Sequence, residues 1–182
     1  MKKKYLILLA TLLLLLIIGV IYLNKKYPEK PFKNIDFPDS FNYVSNHTED
    51  MKFVDTILYR GMIDLNIEGV FINVFVISDE VKRKFEQQNE LNLEAHIVGN
   101  DPQYAIYLDD LDRKTAIRVI SHELIHLQQY HSKRLINLGD GIVTWEGNNV
   151  DVLSLPYNER PWEREAFNKQ SDLEKKLIKE LY

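Results

Sequence analysis

The sequence predicts an α+β domain: a small sheet, one long helix, a hairpin and a second helix, preceded by one N-terminal transmembrane helix. Three observations carry this. Val70 to Ile77 is a β-branched and aromatic run of strand length. Asp112 to Leu135 carries apolar residues at helical spacing, Ile117, Ile120, Leu124 and Leu127. Tyr5 to Leu23 is 19 residues without a charge.

The N-terminal run comes first. About 20 apolar residues span a hydrocarbon core as a helix. Lys2, Lys3 and Lys4 precede the run, and Tyr5 and Tyr22 sit near its ends, where aromatic belts form. Secretory signal peptides have a shorter apolar region closed by small residues. This one closes on Gly19-Val20-Ile21-Tyr22-Leu23-Asn24. The reading is an uncleaved signal anchor with the domain outside the cytoplasm; secretion after cleavage is the alternative. The chain then divides into a basic flank (1–4), the anchor (5–23), a Pro- and Lys-rich juxtamembrane linker (24–40) and one folded domain (41–182).

Composition narrows the function. The 182 residues include no Cys, which excludes a disulfide scaffold, a zinc ribbon and a thiol nucleophile. Any metal site must use His and carboxylates. Residues 1–33 hold seven Lys and one Glu, a charge of +6; the rest hold 16 basic and 26 acidic side chains, −10. An acidic body without an Arg/Lys cluster argues against a nucleic-acid partner.

Within the domain, Asp79 to Asn92 is polar with apolar residues at helical spacing. Ala95–Val98 and Tyr104–Leu108 read as strands around the turn Gly99-Asn100-Asp101-Pro102. Tyr104 to Leu108 is expected at a sheet edge, where an extended peptide binds by strand addition. Asp109, Asp110 and Asp112 stand at the start of the long helix, where its dipole favours acids. Ile142–Trp145 and Val150–Leu153 flank Gly147-Asn148-Asn149 as a hairpin, and Pro161 opens a final helix through Leu181.

The chemistry lies in His122-Glu123-Leu124-Ile125-His126, an H-E-x-x-H. On a helix, positions i and i+4 are neighbours, so both imidazoles reach one metal ion with Glu123 beside it. At 100° per residue the pair points about 180° from the apolar stripe. The helix is therefore expected to bury one side and offer the His pair on the other. His47 and His96 read as bland, and Trp145 and Trp162 as core or as a floor to the site.

H-E-L-I-H on a mid-domain helix after a small sheet resembles the zincin metallopeptidases, over about residues 68–170. The resemblance implies a zincin-like fold, a zinc cofactor and a peptide or protein substrate. Catalytic zinc keeps three protein ligands and a water. The metzincin continuation is absent, because Gln129 and Ser132 stand where its Gly and His belong, and His131 is one residue early. Gluzincins instead take a Glu from a later helix, followed by a small residue. Glu165-Ala166 matches that pattern and makes Glu165 the third ligand; Glu163 is the alternative, the other acid then hydrogen-bonding an imidazole. Asp140, in Leu-Gly-Asp-Gly, is an aspzincin-like option whose surroundings do not match. Lys169 stands where thermolysin-type enzymes carry an Asp, and Leu127-Gln128-Gln129-Tyr130 is similar to bacterial zincin-like domains reading H-E-x-x-H-x-x-Q-Q, although here the Gln pair comes one residue earlier.

The roles this implies are Glu123 as general base and Tyr157 as oxyanion donor, with Arg160 and His131 as further candidates for the latter. Three functions compete: a membrane-anchored zinc metallopeptidase, a catalytically inactive zincin-like module that binds zinc or a partner, and a tethered interaction module with a fortuitous motif.

Overall fold

The computed structural model describes residues 43–46 (chain course only), 51–77, 82–83, 94–109 and 111–182, and three long helices and two small sheets lie among these described residues. The expected anchor (5–23), the linker (24–40), His47 and most of 79–92 lie outside the described residues. Among the described residues no helix is long and apolar enough to cross a membrane.

The first sheet contains β1 (Tyr43–Asn46), β2 (Phe71–Val76), β3 (Ala95–Asn100) and β4 (Gln103–Leu108), in the order β1-β2-β4-β3. β1 and β4 flank β2 in parallel, and β3 pairs antiparallel with β4, Ile97 opposite Ile106. This corrects one expectation. Tyr104–Leu108 is an interior strand, and the edge on that side is β3. The reason is that β4 pairs on both flanks, whereas β3, with His96, Gly99 and Asn100, is the more polar strand, as edges tend to be.

Period-2 alternation puts Ile72 and Val74 of β2, Ile97 of β3 and Tyr104, Ile106 and Leu108 of β4 on one buried face. Two helices cover it. α1 (Met51–Asp64), which the sequence reading left unassigned, contributes Phe53, Val54, Ile57, Leu58 and Met62. α2 (Arg113–His131) contributes Ile117, Ile120, Leu124 and Leu127. Gly61 lets the helices approach closely, since a Cβ there would overlap the buried side chain of Leu124.

Asp112 caps α2, accepting from the backbone N–H of Lys114 and Thr115 at 3.0 and 3.2 Å. The helix ends at His131, not Leu135. Lys133 takes a left-handed φ of 58°, and its N–H turns back to the Tyr130 carbonyl. Leu135 instead starts the second, antiparallel sheet: β5 (Leu135–Gly139), β6 (Ile142–Trp145) and β7 (Asn148–Asp151). The expected hairpin is present, but its turn is Glu146-Gly147, at φ of 49° and 83°. Positive φ at both central residues is the tight turn that matches strand twist. Val152–Ser154 is a short 3₁₀ turn where strand was expected.

A second core joins this sheet to the rest. Leu135, Val143 and Trp162 are buried together, with Tyr130 and Trp145 packed against them. Trp162 is the second residue of α3 (Pro161–Leu181), which runs as expected from Pro161 to Leu181. Trp162, Ala166, Leu173, Leu177 and Leu181 are its buried stripe. Packing of that stripe brings the first turns of α3 alongside the middle of α2.

Candidate metal centre

The middle of α2 is buried on nearly all sides. Leu124 and Leu127 face the first core, and α3 and β3 also pack on this helix. The side opposite the stripe is thus not an open surface. It lines a cavity of about 380 Å³, with His122, Glu123, His126, Tyr157 and Glu163 in its walls. His122, Glu123, His126 and Glu163 are 8, 5, 7 and 6% exposed. Four ionisable groups this deeply buried need partners.

Three of them find one another. The Nε2 atoms of His122 and His126 are 3.1 Å apart, and Glu163 Oε2 lies 3.3 and 3.2 Å from them. Each imidazole is anchored on its far side. His122 Nδ1 donates to Gln170 Oε1 at 3.1 Å, and His126 Nδ1 donates to Gln129 Oε1 at 2.8 Å. Tyr157 lies in the same cavity wall, where burial and then the Glu163 carboxylate push its hydroxyl well above the usual range. This group of two imidazoles and a carboxylate could hold a metal ion. Both Nδ1 atoms are spent on amide oxygens, so the Nε2 atoms are the ones that face the shared position and can take up either a proton or a metal ion there.

The electrostatics favour positive charge there. Burial opposes protonation of His126, but the Glu163 carboxylate outweighs it and raises the imidazole to about 9. Burial likewise opposes charge on Glu163, yet both imidazoles hold its carboxyl well below the usual range. A proton and a metal ion compete for such a position. Tyr130, in the same cavity, is pushed up to about 12 by burial and by Glu123 and Glu163.

Glu123 stands apart from the group. It lines the cavity, and its buried Oε2 has no hydrogen-bond partner among the described residues. A buried carboxylate oxygen without a donor is costly. A water held beside a metal ion would supply one. The donor set and this orphaned oxygen both fit a metal-centred site.

Glu165, expected as the third ligand, is not brought to the imidazoles. Arg134 donates to both its oxygens, at 3.0 and 2.9 Å, Lys169 pairs with it one turn on, and Gln129 Nε2 donates to it at 3.3 Å. The physical reason is helical rotation: Glu165 lies two residues beyond Glu163, about 200° around α3. Partial burial works against its charge, but Arg134 and Lys169 hold its carboxyl at about 2. Asp140 is exposed in the β5–β6 turn at a φ of 52°. His131 pairs with Asp101 at 3.1 Å and does not line the cavity. Tyr157 does line it, and the Arg160 guanidinium lies 5.4 Å from the centre of its ring. Arg160 also lines the cavity, and its buried Nε has no partner among the described residues. His96, on the edge strand, is part of the cavity wall as well.

Gln129, which the sequence analysis names without a role at the site, and Gln170, which it does not name, are the residues it missed. Gln129 was detectable as a polar residue one turn after His126; Gln170 falls on the Glu163 face of α3, two turns on. No family model, no curated protein and no solved structure matches the chain.

Proposed function

We propose that the chain is a membrane-anchored zinc metallopeptidase of the zincin type, with His122, His126 and Glu163 as ligands and Glu123 as general base. The observation that carries the reading is the meeting of three ligand atoms at 3.1–3.3 Å beside a carboxylate with an unpartnered oxygen. Ligand atoms about 2.0–2.1 Å from a tetrahedral zinc lie about 3.3–3.4 Å from one another, so this spacing suits that ion. Two nitrogens and one oxygen are also its ordinary donors at catalytic sites, with a fourth position left open.

Zinc, when bound, supplies the Lewis acidity that brings the pKa of water toward about 7 and polarises a carbonyl. The remaining work belongs to side chains. Glu123 Oε2 accepts the proton of the attacking water and passes it to the leaving amine. Tyr157 and Arg160, at the cavity wall, are the donors available to an oxyanion, and His131 is dropped from that role because it lies outside the cavity. An extended peptide pairs with the edge strand β3, whose His96 and Ile97 line the cavity, instead of with β4. The apolar run 5–23 anchors the chain with this domain outside the cytoplasm.

The test is a peptidase screen on the full chain in detergent, run beside Glu123→Gln. The variant should keep its zinc and lose turnover by at least about 10²-fold, the scale of general acid–base catalysis. Equal turnover in the two proteins would remove Glu123 from the chemistry. Zinc without turnover in the parent protein would leave a zinc-binding module in place of an enzyme.

A further inference from the structure

Gln129 is fully buried, one turn after His126, and every polar atom of its amide is engaged. Its Nε2 donates to the Trp162 carbonyl at 3.0 Å and to Glu165 Oε2 at 3.3 Å. A backbone carbonyl and an ionised carboxylate only accept. Turning the amide over would set its oxygen against both of them, so its oxygen must face the other way. There it meets His126 Nδ1 at 2.8 Å. An amide oxygen only accepts, so His126 must carry its hydrogen on Nδ1. Its Nε2 is then the atom with a lone pair for a metal ion. Glu165 is itself held by Arg134 and Lys169, which keeps the acceptor side of Gln129 in place.

We infer that Gln129 is a positioning residue that sets the tautomer and ring orientation of His126, with Trp162 and Glu165 fixing the direction of its amide. The inference rests on the metal reading given above. It assigns Glu165 work at the site without contact with the ion.

The test is zinc titrated against a chromophoric chelator, using the full chain in detergent and two variants. Gln129→Met keeps the length of the side chain and removes the acceptor; zinc affinity should fall about 10–100-fold, the usual effect of losing such a partner. Gln129→Glu keeps an acceptor for Nδ1 but loses both donations and faces the Glu165 charge. It should melt lower than the parent without zinc, yet hold zinc at close to the parent affinity. A purely structural role predicts the opposite pattern, with zinc affinity lost in Gln129→Glu as its stability is lost. Parent-like affinity in Gln129→Met, or affinity in Gln129→Glu that falls with its melting temperature, overturns the inference. Should Gln129→Met fail to fold, the Gln129→Glu result decides alone. Zinc uptake by the parent chain that His126→Ala abolishes separates the two claims: with it, a failure of the Gln129 variants counts against this inference only, and without it both fall.

Discussion

Glu163 and Glu165 differ by two positions in sequence and by their whole chemistry in the fold. One faces two imidazoles; the other faces Arg134 and Lys169. The H-E-x-x-H pair was legible because its spacing is local to one helix, so no tertiary knowledge is needed to place both imidazoles together. The third acid was legible too, but from a different signal than the Glu-Ala pattern. At 100° per residue the stripe Trp162, Ala166, Leu173 and Leu177 centres about 70° from Glu163 and about 90° from Glu165, on opposite sides. Adding Leu181 and Gln170 shifts the buried arc toward Glu163. The wheel therefore leans to Glu163, and the family pattern pulled the reading the other way. A pH prediction follows from the role Glu165 has instead. Its carboxyl is lowered to about 2 from an ordinary 4.5, so its contribution to stability is fully present above about pH 4.5 and is lost as pH falls through about 2. Glu165→Gln should melt lower than the parent at pH 7, and that difference should shrink as pH falls from about 4.5 through about 2, which flattens the acid limb of the melting curve. An unchanged acid limb would mean that the Arg134 pair is not felt by the fold.

At the scale of elements, helix ends and sheet order were the hard part. The end of α2 carries no Gly or Asn to announce a left-handed turn; Lys133 takes that conformation. β5 was hidden because Ile136 and Leu138 point outward, more than a third exposed, so its apolar residues do not mark a buried face. α1 was readable, with Phe53, Val54, Ile57, Leu58 and Met62 at helical spacing, and Gly61 in its interior marks where α2 approaches. That contact makes a stability prediction. Gly61→Val places a branched side chain where a single Cβ already meets buried Leu124, and overpacking of this kind costs about 1–3 kcal/mol. Denaturant titration of parent and variant reads it; a midpoint that does not fall would show that the two helices have room to separate.

For the whole molecule, the proposed metal centre ties α2 to α3, the two elements that also carry the second core through Trp162. Binding to the native state alone raises stability, by about 2.7 kcal/mol when free zinc is a hundred times the dissociation constant. A chelator should accordingly lower the melting temperature, and added zinc should restore it. The apolar segment before the domain makes a separate prediction: the full chain should stay with membranes through a high-salt wash, because a 19-residue apolar span is not an electrostatic attachment. Release by salt, or a soluble form starting near Asn24, would replace the anchor with a cleaved signal.

The most direct measurement is a calorimetric zinc titration of the full chain beside Glu163→Gln and Glu165→Gln. The parent should bind close to one zinc per chain, Glu165→Gln should keep that stoichiometry, and Glu163→Gln should lose most of its affinity, since it removes the carboxylate that meets both imidazoles. Zinc held normally by Glu163→Gln and lost by Glu165→Gln would contradict the site described above, and a parent chain that takes up no zinc would contradict the metal centre altogether.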